Sequence, residues 1–229
     1  TGTQASFLEL FDGDHDKVDA LDPAEGRIMD LEGSYPVSGQ TYPRKVDFQV
    51  LSTLAGIATS VSKIGHDLRL LAHLREVEEP FEKEQIGSSA MPYKQNPMRA
   101  ERMCALSRHV IVLSQDAAFT AATQWLERSL DDSANKRVSV PDAFLTLDGC
   151  LVLLENVASG ITINRNMIRK NLLEHLPFMA TETILMHVVS RGGDRQRLHE
   201  RIRQHSLAAA KRVKEDGEGL DLLERIAGD

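Results

Sequence analysis

VDFQVLSTLAGIATSVSKIGHDLRLLAHL, residues 46–74, is the stretch that decides the fold. Its apolar side chains fall at Val50, Leu51, Leu54, Ile57, Ala58, Val61, Ile64, Leu68, Leu71 and Leu74. Adjacent pairs aside, the steps are of three or four, which gather onto one stripe of a helix and onto no single face of a strand. At about 1.5 Å per residue the segment is a rod of roughly 45 Å, a length that suits a bundle or an oligomer core. A second helix opens at Pro97, where the missing N–H costs nothing, and carries Met98, Cys104, Leu106, Val110, Ile111 and Leu113. A third runs through Val138, Phe144, Leu147, Leu151, Leu154, Val157 and Ile161, with Pro141 expected in its first turn or at a kink.

Beyond Ile163 the segments shorten. Asn164 precedes a helix over 167–175, Pro177 precedes one over 178–190, and Asp194 caps one over 195–214 after the Gly192–Gly193 break. The expectation is an all-α chain: a long-helix bundle domain over 1–163, then a compact helical domain over 164–229. No segment carries a convincing strand signal, and there is no internal repeat.

Composition narrows the function classes. The chain has 229 residues, 41% of them hydrophobic, with a net charge of −7, so the global balance favours neither nucleic acid nor an anionic membrane as a partner. No apolar run is long enough to span a bilayer, and no charged-then-apolar leader follows Thr1. Cys104 and Cys150, the only two cysteines, sit in apolar-periodic stretches and read as buried thiols of a reducing compartment, with the cytoplasm as the expected location. The abrupt start at TGTQASF and stop after LLERIAGD suggest an interior piece of a longer chain.

Between the first two long helices, residues 76–97 break the helical period with Pro80, Gly87, Pro92 and Pro97. A connection of that length is uncommon unless it is functional or disordered. Ile86, Met91 and Tyr93 offer anchors against a surface, and GSSAMPYKQNP concentrates polar chemistry. Ser88 and Ser89 bring hydroxyls, Lys94 a positive charge, and Asn96 a neutral donor. A serine acts as a base only where oriented N–H groups or an ammonium stabilise its alkoxide; the same Lys and Asn can instead hold a carboxylate that gains negative charge. The order of residues excludes a Walker A loop. On spacing alone, a plain surface loop with a phosphorylatable serine stands as an equal alternative.

QWLERSLDDSANKR, residues 124–137, places Ser133 and Arg137 one helical turn apart, with Arg128 close by across a turn. Two guanidiniums and a hydroxyl satisfy phosphate oxygens with charge-assisted bonds. The competing reading is a solvated face in which Glu127, Asp131 and Asp132 pair with those arginines. Arg102 and Gln40, taken alone, are a helix-surface arginine and a turn residue. Of the eight histidines, His66 and His73 lie seven apart on the first long helix, yet no third ligand completes a metal site. The sequence calls for no cofactor.

The loop GSSAMPYKQNP agrees at every fixed position with the G-S-S-x-M-P-x-K-x-N-P signature of the fumarase/aspartase superfamily, which it resembles. TGTQASF, SGQTYPRK, QWLERSLDDSANKR and LPFMATE extend the resemblance to the adenylosuccinate lyase family over essentially the whole chain. The resemblance implies β-elimination of fumarate from adenylosuccinate, giving AMP, and from the succinylocarboxamide imidazole ribotide. It implies Ser88 as the base that takes the succinyl proton, ahead of Ser89, with Lys94 and Asn96 holding the dianionic intermediate. Arg128, Ser133 and Arg137 match the family positions that hold the nucleotide phosphate, and Gln40 and Arg102 match further substrate contacts. It implies a homotetramer of long helices with active sites shared between subunits. The catalytic histidines of the family lie upstream of TGTQ, and none of the eight here matches them, so these residues alone are expected to be inactive. Lyases acting on argininosuccinate, fumarate or aspartate form the alternative, against which a phosphate cluster argues; a non-catalytic scaffold is the other.

Overall fold

The computed structural model describes residues 3–81, 91 and 93–229. Among them the chain forms α1 (Gln4–Leu10), α2 (His15–Ile28), α3 (Lys45–His73), β1 (Val77–Glu78), α4 (Met98–Ala122), α5 (Asp131–Gly160), β2 (Thr162–Ile163), α6 (Arg165–Ser190), α7 (Arg195–Glu215) and α8 (Leu222–Ala227). The all-α expectation holds, with one small correction: β1 and β2 pair antiparallel, Val77 opposite Ile163 and Glu78 opposite Thr162. Two-residue strands leave no period to read, because the pairing is made by backbone groups alone.

Two compact units divide these elements, one comprising 1–66 and 98–158, the other 67–97 and 159–229. In the first, the buried stripe of α3 is Leu51, Leu54, Ala55, Ala58 and Val61. The same unit buries Ala100, Met103, Cys104 and Val110 of α4 and Ala143, Leu147, Cys150 and Val157 of α5. Small residues in that seam let the helices approach closely. At Gly65 a Cβ would lie 2.8 Å from Cys104 Sγ and 3.1 Å from the Ala100 carbonyl, so the α3–α4 contact admits no side chain there. Pro141 lies inside α5 rather than in its first turn, because α5 starts at Asp131, earlier than the apolar period announces. The one backbone bond that the proline forfeits is offset by the burial of Ala143, Leu147 and Cys150 just beyond it.

In the second unit, Arg75 turns the chain after α3 with φ +61°. Two asparagines of the following segment hold that turn. Asn164 donates to the Arg75 carbonyl (3.1 Å) and to Glu78 (2.9 Å), and Asn171 donates to the Leu74 carbonyl (3.2 Å) and to Glu76 (2.9 Å). Asn164 therefore occupies the cap position of α6 without capping it. The helices expected over 167–175 and 178–190 are one continuous helix, with Pro177 inside. The leucines on either side of the proline keep the helical period through it, and no glycine or side-chain cap competes to end the helix. Gly192, at φ +95°, closes α6, and Asp194 caps α7 by accepting from Arg197 N (2.9 Å) as expected. No helix among the described residues is long and apolar enough to cross a membrane.

Candidate active site

The first unit assembles the basic cluster from two pieces of chain. One is the 123–130 connection and the start of α5; the other is SGQTYPRK, which leads into α3. Gln124 disciplines the connection: its Nε2 donates to the Thr120 carbonyl (3.2 Å) and its Oε1 accepts from Ser129 N (3.2 Å). Arg128 therefore sits in the turn before α5, while Ser133 and Arg137 lie one helical turn apart on α5, as the sequence predicts. Arg128 Nη1 donates to Gln40 Oε1 (3.4 Å), which brings two of the expected substrate residues together across a long loop. Arg137 donates to the hydroxyl and to the carbonyl of Ser133.

The nearby acids do not neutralise these arginines. Asp131 accepts from Ser129 Oγ (2.5 Å) and from Gln124 Nε2 (3.4 Å). Asp132, fully buried, forms an ion pair with Arg44, itself only 5% exposed. Among the described residues neither Arg128 nor Arg137 is in an ion pair. The pairing of these arginines with Asp131 and Asp132 that a solvated face would show is not made. Ser133 and Arg137 are in contact on α5, and Arg128 lies in the connection just before that helix; guanidiniums and a hydroxyl are groups able to bind a dianion.

Sequence reasoning missed the support beneath the cluster. Arg44 stacks on Tyr42 with Cζ 4.4 Å from the ring centroid, and Lys136 Nζ approaches the same ring at 5.3 Å. The Tyr42 hydroxyl donates to Asp47 (2.8 Å) in the first turn of α3; burial first, and that carboxylate second, push the phenol above its ordinary pKa. Gly39 presses on Glu127, where a Cβ would lie 2.7 Å from Cγ and 2.9 Å from the carbonyl oxygen. The available signal was the tyrosine and arginine that follow Gln40.

Arg102 is exposed near the start of α4, in the same unit as the cluster. Lys94 and Asn96 belong to the other unit. The Lys94 amide donates to the Met91 carbonyl (2.9 Å), which tightens the segment before α4 into a turn. Asn96 lines a cavity of about 370 Å³ together with Arg75, Val77, Phe81, Tyr93 and Pro97. Ser88 and Ser89 lie outside the described residues. Among those described, no three His, Cys, Asp or Glu side chains gather as metal ligands would.

Comparison with known proteins bears on the fold and the family. The Lyase family model matches residues 33–112, and the model for the adenylosuccinate lyase C-terminus matches residues 177–229. Among solved structures, the 3-carboxy-cis,cis-muconate lactonizing enzyme of Pseudomonas putida superposes on the whole chain and on 47% of its own, with a TM-score of 0.71 at 24% identity. A fumarate lyase from Mesorhizobium sp. BNC1 superposes on 89% of the chain and 44% of its own, with a TM-score of 0.69 at 21% identity. The long helices thus share the helical fold of these enzymes.

Within that class the similarity is specific. The adenylosuccinate lyase of Saccharomyces cerevisiae is 54% identical over 100% of this chain and 48% of its own length. That of Schizosaccharomyces pombe is 52% identical over 99% of this chain and 47% of its own length. The chain belongs to the adenylosuccinate lyase family. It spans about half the length of these relatives.

Proposed function

We propose that the protein containing this chain cleaves adenylosuccinate to AMP and fumarate, and cleaves the succinylocarboxamide imidazole ribotide in the same way. The observation that carries this reading is the 54% identity to an adenylosuccinate lyase along all 229 residues, which includes an intact signature segment. The uncompensated pair Arg128 and Arg137 supports a substrate that bears a phosphate, which argininosuccinate, fumarate and aspartate lack. In this reading the phosphate sits between those guanidiniums and Ser133, and Gln40 and Arg102 contact the remainder of the nucleotide. Ser88 takes the proton from the carbon beside a succinyl carboxylate. Lys94 and Asn96 stabilise the dianion that forms, and the C–N bond then breaks to release fumarate. The leaving nitrogen takes its proton from a general acid outside this stretch of sequence, since no histidine here matches the family's catalytic ones. Phosphate binding remote from the reacting bond orients the succinyl end.

The proposed enzyme needs no metal or cofactor. It is a homotetramer of the cytoplasm, with active sites shared between subunits. The test is fumarate release by the full-length protein from both substrates. Ser88→Ala is expected to lower turnover by about 10³-fold, the middle of the range for a removed general base. Turnover at the unsubstituted rate would remove Ser88 from the chemistry.

A further inference from the structure

We infer that Arg44 and Asp132 are a positioning pair: their buried contact, backed by Tyr42, holds Arg128, Ser133 and Arg137 in register for a phosphate. The inference rests on the reading of that cluster as a phosphate site. Burying a guanidinium and a carboxylate costs each its hydration, and apolar replacements of similar volume are often at least as stable. This pair is not even fully satisfied: Nη1 of Arg44 reaches only Asp47, at 3.9 Å and with no hydrogen bond, and neither oxygen of Asp132 makes a hydrogen bond beyond the ion pair itself. Stability alone is a poor reason for such a contact, so its place in the fold must supply another.

Four contacts of SGQTYPRK fall on, or next to, a cluster residue. Gly39 lies against Glu127, the neighbour of Arg128. Gln40 accepts from Arg128 itself. Arg44 grips Asp132, the neighbour of Ser133. Tyr42 lies under Lys136, the neighbour of Arg137. One short segment thus fixes the turn and the first two turns of α5 against each other. The pair also acts electrostatically: while Arg44 holds the Asp132 carboxylate, that charge is not available to Arg128 and Arg137, and their positive charge stays uncompensated for an anion.

The test is binding of 5′-AMP and of adenosine to the full-length protein, with thermal melts, in three forms: unsubstituted, Arg44→Lys, and Arg44→Met combined with Asp132→Leu. The unsubstituted protein is expected to favour AMP over adenosine. Equal binding of the two would sink the phosphate-site reading itself. With that preference in hand, both variants are expected to lose it by about 10-fold or more, the equivalent of one charge-assisted bond. Adenosine binding is expected to stay within about twofold, and the double variant to melt no lower than the unsubstituted protein. A folded double variant that keeps the AMP preference would overturn the inference. Loss of helical circular dichroism in both variants would overturn it too, by making the pair purely structural.

Discussion

Arg137 donates to the hydroxyl and carbonyl of Ser133, so its guanidinium is held on its own helix beside that hydroxyl, where the proposed phosphate would bind. Removing it leaves the reacting end of the substrate untouched. Arg137→Ala is therefore expected to raise KM for adenylosuccinate by about 10- to 100-fold with kcat within about threefold. Steady-state fumarate release checks this, and a fall in kcat at constant KM would contradict a phosphate role. Gly39 gives a second expectation at this scale. A Cβ there meets the Glu127 carbonyl at 2.9 Å, an obstacle that backbone cannot yield cheaply. Gly39→Ala is expected to weaken AMP binding severalfold while adenosine binding is spared, measured as above. At this scale the sequence was legible where a residue acts alone or one helical turn from its partner, as with Ser133 and Arg137. It was not legible for Arg44 with Asp132, because 88 residues separate the two and Asp132 has nearer arginines to suggest as partners.

Helices, by contrast, announce themselves when period and punctuation agree. α3 begins and ends within a residue or so of where its apolar stripe places it, α4 begins next to Pro97 but runs on to Ala122, well past Leu113, and Asp194 caps α7 as its side chain predicts. Pro177 misleads because a proline that a helix absorbs looks, in sequence, like one that ends it; the continuing leucines around it decide the matter. Between α7 and α8 a charge cluster has a pH signature. Asp221 accepts from Arg225 Nε (2.8 Å) and Arg212 Nη1 (2.6 Å), and those bonds, Arg225's foremost, lower its pKa to about 2. A depressed carboxylate stabilises the folded state above its unfolded pKa of about 3.9, and that contribution fades as pH falls towards the folded value. The difference in melting temperature between the unsubstituted protein and Asp221→Asn is expected to be full at pH 5 and to close as the pH drops to about 2. A gap that stayed constant over that window would mean the arginines do not hold the carboxylate.

For the molecule as a whole, the bundle has more apolar surface than its own core uses. Val50, Ile57 and Ile64 on α3, Val112 and Phe119 on α4, and Val138, Leu145 and Val152 on α5 are all exposed, and within each helix they recur every seven residues. A seven-residue apolar repeat is the spacing with which one long helix meets another, and contiguous exposed patches of this kind mark interfaces. The sequence shows the period but not which positions face inwards, since inward and outward stripes on such helices are equally apolar; only burial separates Val61 from Ile64. These stripes are what the proposed tetramer would cover, and they make it testable without touching the active site. Leu145 is 73% exposed, so Leu145→Glu costs the isolated chain little, on the order of 0.5 kcal/mol. Against a neighbouring helix the same carboxylate would be buried without a partner, a cost of several kcal/mol that is repeated at each copy of the interface. Leu145→Glu is therefore expected to shift the full-length protein from tetramer to smaller species in sedimentation, and to abolish turnover if the sites are shared between subunits. A folded variant that stayed tetrameric would show that this face of α5 lies outside the assembly.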